Sequence, residues 1–218
     1  MKGLLKNNFY GVIGEAKILK LLFLTLGIAL LVTGSSELFI LFAFLSAPLL
    51  IFNSVSSLSK AALTKWVKYE LTMPVQRKDI IKSRYISHSI WSLLGVLLPS
   101  IFVVFAIFIH GNKFFYPELR DPIAYFCVIV SIALYTGALF YPAVYALGAG
   151  KSELLLILSL IGAIGLTAGL SILLYASNGS DLTDTEFLIG IAIFMVIAII
   201  VYILSYFLTV FIYSKKEY

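Results

Sequence analysis

Long apolar runs alternate with short polar breaks along the whole chain. Stretches free of Asp, Glu, Lys and Arg cover 21–36, 38–59, 85–112, 122–150, 154–180 and 187–214. About 20 apolar helical residues cross a bilayer core. Five of the runs clear that length. The first holds 16 residues, and Ile18 and Leu19 lengthen it if Lys20 snorkels to the interface. The pattern predicts an all-α polytopic membrane protein, a single transmembrane domain over 1–218, with spans near 18–36, 38–57, 85–110, 122–147, 154–177 and 187–213. A transmembrane barrel is excluded, because its strands alternate over about ten residues and these runs are continuous.

The polar breaks set the orientation. With the N-terminus inside, the inner segments hold fourteen of the sixteen Lys and Arg residues, and the outer segments hold only Lys113 and Arg120. This asymmetry predicts cytoplasmic termini. The outer breaks carry Glu37, Glu118, Asp121, Asp181, Asp184 and Glu186. The first run ends at Gly34-Ser35-Ser36, small residues like those of a signal-peptide cleavage site, but a long basic stretch precedes it and five runs follow. A retained start anchor is the expectation. Upstream, Leu5, Phe9, Val12, Ile13 and Ala16 fall at helical spacing among Lys2, Lys6 and Lys17. They predict an amphipathic helix lying in the inner interface, with a loose basic tail as the alternative.

Composition agrees. Hydrophobic residues make up 61% of the 218 residues and charged residues 12%, so a soluble enzyme and a disordered chain are both excluded. The net charge of +5 reads as attraction to anionic lipid. Nucleic acid is not an expected partner, since there is no soluble basic face.

Catalytic chemistry is not in view. His88, His110 and Cys127 are far apart in the chain, and the two histidines fall on opposite sides in this topology, so no metal site is expected. No serine has a base nearby on its own helix. Gly148-Ala149-Gly150-Lys151-Ser152 looks like the end of a phosphate-binding loop, but Tyr145 stands where that loop needs its first glycine. No bound cofactor is expected. The spans contain no Asp, Glu, Lys or Arg, which argues against ion-coupled carriage and for energy supplied from outside the membrane.

The largest inner break, 58–84, contains most of the stretch from Lys65 to Tyr85, KWVKYELTMPVQRKDIIKSRY. Trp66 and Tyr69 suit interfacial anchoring. Pro74 disfavours helix before it and suits the first turn of a new helix that carries Arg77, Lys78, Asp79, Lys82 and Arg84. The segment reads either as a lipid-facing connection or as a docking surface. It resembles the cytoplasmic loop of small bacterial type-2 ABC exporter permeases. Lys65, Trp66, Tyr69, Pro74, Val75, Arg77, Lys78, Lys82 and Tyr85 match, while Val67 replaces an acidic residue and Met73 a leucine. At the end of span four, Pro142, Gly148 and Lys151 also match, and Tyr145 replaces a basic residue. Permease subunits of staphylococcal exporters of phenol-soluble modulins, which are amphipathic toxin peptides, are among the similar members.

The resemblance implies a non-catalytic permease half in a bacterial cell membrane. It would pair with a second permease subunit, as homo- or heterodimer, and bind cytoplasmic ATP-binding cassette ATPases that hold the ATP and Mg. The coupling helix then includes Trp66, Tyr69, Pro74, Val75, Arg77, Lys78, Asp79 and Lys82, with Gly148 and Lys151 as a second contact. From spacing alone, Ser46, Asn53 and Ser57 share a face of span two, and Ser131, Tyr135 and Tyr145 lie similarly on span four. Either face lines a route or bonds to neighbouring helices. With 17 Phe and 13 Tyr and no charge in the spans, the expected cargo is an amphipathic peptide or lipophilic toxin. A scaffold or sensor subunit, and efflux of ions or small drugs, are the alternatives.

Overall fold

The computed structural model describes residues 2–15, 17–35, 37–42, 45, 75–111, 120–178 and 184–215. Among them there are helices and no strands. The chain forms α1 (Lys2–Glu15), α2 (Lys17–Thr33), α3 (Arg77–His110), α4 (Arg120–Leu147), a 3-10 turn (Ala149–Lys151), α5 (Ser152–Asn178) and α6 (Asp184–Ser214). Four helices are long and apolar enough to cross a membrane, within Arg77–His110, Tyr125–Leu147, Ser152–Leu173 and Thr185–Ser214. The apolar part of α2, Lys20–Thr33, is shorter. Residues 37–42 are helical, and the rest of the predicted span 38–57 lies almost wholly outside the described residues.

α4 is the centre of the bundle, the most buried of the four, and it packs against α3, α5 and α6. Its sequence explains this. Ser131, Ala133, Thr136, Gly137 and Ala138 are all buried, and such small side chains let neighbouring backbones approach. The hydroxyls of Ser131 and Thr136 donate back to the carbonyls of Cys127 and Ile132, at 2.8 and 2.7 Å, so they enter the core already satisfied. A Cβ at Gly137 would lie 2.5 Å from the His88 ring, and one at Gly27 would lie 2.5 Å from Phe102, so both glycines are contact points with α3. α3 continues through Pro99 and α4 through Pro142. The outward faces of α5 and α6 expose Ile157, Leu158, Ile161, Leu204, Leu208 and Phe211, as a lipid-facing surface does.

α1 packs along α3. Leu4, Asn8 and Val12 form its buried stripe, while Phe9 and Ile13 are half-buried and Lys6 and Tyr10 exposed. Asn8 Nδ2 donates to Ser83 Oγ at 3.3 Å, and the Phe9 ring stacks on Trp91 at 4.8 Å. The buried line therefore falls one residue from the expected Leu5–Phe9 line, because a polar partner on α3 accommodates Asn8.

At the far end of the bundle, His110 Nε2 donates to the Leu31 carbonyl at 2.7 Å, and Gly34, at φ +62°, lies beneath that ring. The last turn of α2 is thereby fixed to the last turn of α3.

Candidate functional site

The start of α3 lies against the end of α6. Gln76 is extended, and its carbonyl accepts the Asp79 N–H at 2.8 Å to open the helix. Asp79 in that first turn complements the helix dipole. Arg77 Nη1 donates to the carbonyls of Tyr213 and Ser214 at 3.2 and 3.4 Å, and its guanidinium lies 5.8 Å over the Tyr213 ring. A cation thus caps the C-terminus of α6, where the dipole favours one. Tyr145 meets Tyr213 edge-on at 5.1 Å, which brings the end of α4 to the same place. Gly148, at φ +98°, then turns the chain, its N–H donating to the Val144 carbonyl at 2.9 Å. Lys151 is exposed after it.

One end of the bundle therefore gathers Val75, Arg77, Lys78, Asp79, Lys82, Tyr145, Gly148 and Lys151. Lys78 and Lys82 are exposed, Val75 and Asp79 half-buried. Arg77, Lys78, Lys82 and Arg84 in the first turns of α3, Lys151 in the turn after α4 and Lys215 after α6 all belong to elements that meet here. Trp66, Tyr69 and Pro74 lie outside the described residues, as do Ser46, Asn53 and Ser57.

Just below this basic end lies a polar cluster that sequence reasoning did not assemble. Ser205 Oγ donates to the Ala138 carbonyl at 2.6 Å, and Thr209 Oγ1 to the Ser205 carbonyl at 2.8 Å. Their protons are occupied, so the Tyr85 hydroxyl, 2.8 Å from each oxygen, is the donor to the pair. The Tyr202 hydroxyl donates to the Tyr85 carbonyl at 2.9 Å. Its oxygen then accepts from His88 Nδ1 at 3.1 Å, which puts a proton on Nδ1. His88 Nε2 is buried with no hydrogen-bond partner, and a Cβ on Gly137 would lie 2.9 Å from it. Tyr141 completes the cluster, 4.7 Å from Tyr85 and 5.6 Å from His88 between ring centroids. Hydroxyls and one imidazole thus join α3, α4 and α6. The signal was available: Tyr85, His88 and Ser92 recur on α3, and Tyr202, Ser205 and Thr209 on α6, at spacings of three or four. Ser89 and Ser92 do lie beside His88 on one helix, contrary to the expectation from sequence, but their hydroxyls donate to the Tyr85 and His88 carbonyls at 3.0 and 2.8 Å and not to the ring.

Of the span-four positions, Ser131 Oγ also lies 3.3 Å from Met195 Sδ on α6, and Tyr135 is buried edge-on to Phe194 at 6.3 Å, its hydroxyl without a partner. Both pack between helices of this chain, and Tyr145 packs apart from them at the basic end. Among the described residues no group of His, Cys, Asp and Glu is arranged to hold a metal ion.

No curated protein and no solved structure matches the chain. The family model of the ABC-2 family transporter proteins matches residues 3–214, nearly the whole length. With this coverage, and with four helices among the described residues long and apolar enough to cross a membrane, the chain belongs to the ABC-2 transporter family, as a multi-pass membrane permease component.

Proposed function

We propose that the chain is the permease subunit of an ATP-driven exporter of amphipathic peptides or lipophilic toxins in a bacterial plasma membrane. It is non-catalytic and binds no cofactor itself. Cytoplasmic ATP-binding cassette subunits hold ATP and Mg, and a second permease subunit, identical or not, completes the pathway. The chain crosses six times with both termini inside, and α1 lies in the inner interface. The observation that carries this reading is the basic end. There the exposed Lys78 and Lys82 at the start of α3 lie at the same end as the Gly148–Lys151 turn, joined through Arg77, Tyr213 and Tyr145. A polar, mixed-charge surface continuous with three spanning helices is what a soluble motor needs in order to move them.

Cargo follows from the spans. They offer hydroxyls and aromatic rings and carry no Asp, Glu, Lys or Arg in their charge-free runs, which suits a molecule whose polar parts stay near the interface. The test is co-reconstitution with the cognate ATPase. ATP turnover is expected to rise with an amphipathic peptide. A rise with sodium alone favours ion efflux, and no ATPase co-purifying favours a scaffold.

A further inference from the structure

A groove of about 420 Å³ runs between α3 and α6, just inside the basic end. Lys82 stands in its lining with Ile86, Ile90, Ile203 and Phe207. A smaller groove, about 260 Å³, lies on the other side of α3 against α1, and it too holds one lysine, Lys6. Ile90 lines both.

We propose that the α3–α6 groove binds an anionic phospholipid, its phosphate at Lys82 and one acyl chain along Ile86, Ile90 and Ile203. The chemistry on each part of the groove selects this occupant. Ile203 and Phe207 are 49% and 62% exposed, so the walls present hydrocarbon outward. A free anion has no use for such walls. Lys82 is exposed, and among the described residues no carboxylate pairs with it. It begins the turn that leads into the apolar part of α3, the level at which a lysine stem lies along hydrocarbon and its ammonium reaches the headgroups. Ser89, two turns deeper, is satisfied within the fold, its hydroxyl donating to the Tyr85 carbonyl at 3.0 Å. A second copy of the chain fits less well, because a twofold contact centred here would bring two Lys82 side chains together. The smaller groove repeats the pattern of one lysine above an apolar wall, so the ridge at Ile90 divides two clefts of the same kind.

The inference rests on the proposed orientation only for which leaflet supplies the lipid, and its test needs no ATPase. The full chain is reconstituted in nanodiscs of equal phosphatidylglycerol and phosphatidylcholine, re-extracted in mild detergent, and its retained lipid measured by mass spectrometry. Phosphatidylglycerol is expected to be enriched. Lys82→Gln is expected to lower its retention about fivefold, the worth of one lysine at an anionic surface. Lys20→Gln, at an exposed lysine outside the groove, is expected to leave it unchanged. Ile203→Trp, which fills the groove and leaves Lys82 in place, is expected to lower it as well. If Lys82→Gln does not purify, normal retention in Lys82→Arg together with loss of retention in Ile203→Trp supports the proposal equally. Equal retention of both lipids, equal loss in Lys20→Gln, no loss in Ile203→Trp, or displacement by inorganic phosphate overturns the proposal.

Discussion

Arg77 shows how a residue chosen for one purpose takes on another. Its place in the basic stretch marked it for docking, yet its guanidinium binds the last carbonyls of α6. Arg77→Gln is therefore expected to loosen the end of α6 by about 1 kcal/mol, the worth of a cation at a helix C-terminus, whether or not an ATPase is present. Faster amide exchange at residues 210–214 in the isolated subunit would report it, and unchanged exchange would refute it. The Tyr85 hydroxyl is the other residue-scale test. Tyr85→Phe removes the donor to Ser205 and Thr209 and leaves the ring contacts in place. In a membrane protein such a bond is worth about 0.6 kcal/mol and at most about 1.7, so a small fall in the thermal midpoint in detergent is expected. Gly137→Val is expected to be worse, about 1–3 kcal/mol, because the added carbons meet His88 between two packed helices. A midpoint equal to that of the unaltered chain would mean that α3 and α4 are not in contact there.

At the scale of elements, α5 carries a face the fold leaves unused. Gly165 and Gly169 stand four residues apart on α5, a spacing of small residues that lets two helices approach closely. A Cβ at either position would meet nothing within 4 Å, whereas one at Gly162 would lie 3.0 Å from Leu139 on α4. Among the described residues only Gly162 serves the internal packing, which leaves Gly165 and Gly169 open to a second permease subunit in the proposed exporter. Gly165→Leu with Gly169→Leu is expected to weaken subunit association by at least tenfold in a detergent equilibrium, while α4–α5 packing survives. Unaltered association would place the dimer contact elsewhere. Elements were also where the sequence was most readable. Charge-free runs located α4, α5 and α6 within a few residues, because hydrocarbon excludes charge over a length the helix rise fixes. They missed the basic first turns of α3, where charge and helix coexist outside the hydrocarbon, and span two lies almost wholly outside the described residues. The chain's start was less readable. Asn8 on α1 looks like a solvent-facing residue until Ser83 on α3 is opposite it. A run also shows that polar residues are present without showing which of them meet, so it leaves Ser131 and Tyr135 open between lining a route and bonding to a neighbouring helix, and in the fold both lie against α6.

For the whole molecule, the separation of charge from hydrocarbon is the prediction-bearing feature. Lys78→Glu with Lys151→Glu reverses the two exposed lysines that flank the joined ends of α3, α4 and α6. That variant is expected to insert normally and to lose ATPase binding by at least tenfold. Normal binding would remove the docking reading of this end. Cargo is judged separately, by stimulation of ATP turnover, so a failed docking test and a failed cargo test are distinguishable.

The length of α3 has a mechanical meaning. It is one unbroken helix of 34 residues from Arg77 to His110, about 51 Å from end to end. From the tyrosine and histidine cluster to His110 the arm is about 35 Å, so a tilt of about 5° about the cluster carries that end about 3 Å. His110 holds the Leu31 carbonyl at that distant end, so the swing reaches α2 without passing through any loop. In the proposed exporter α3 is a lever with its fulcrum at the tyrosine and histidine cluster, nearer to the loaded end than to His110. A lever that bends transmits less. Leu93→Gly with Leu97→Gly, both on the exposed side of α3, is expected to leave ATPase binding intact and to cut peptide export several-fold. Export at the unaltered rate would show that the stroke travels by another helix.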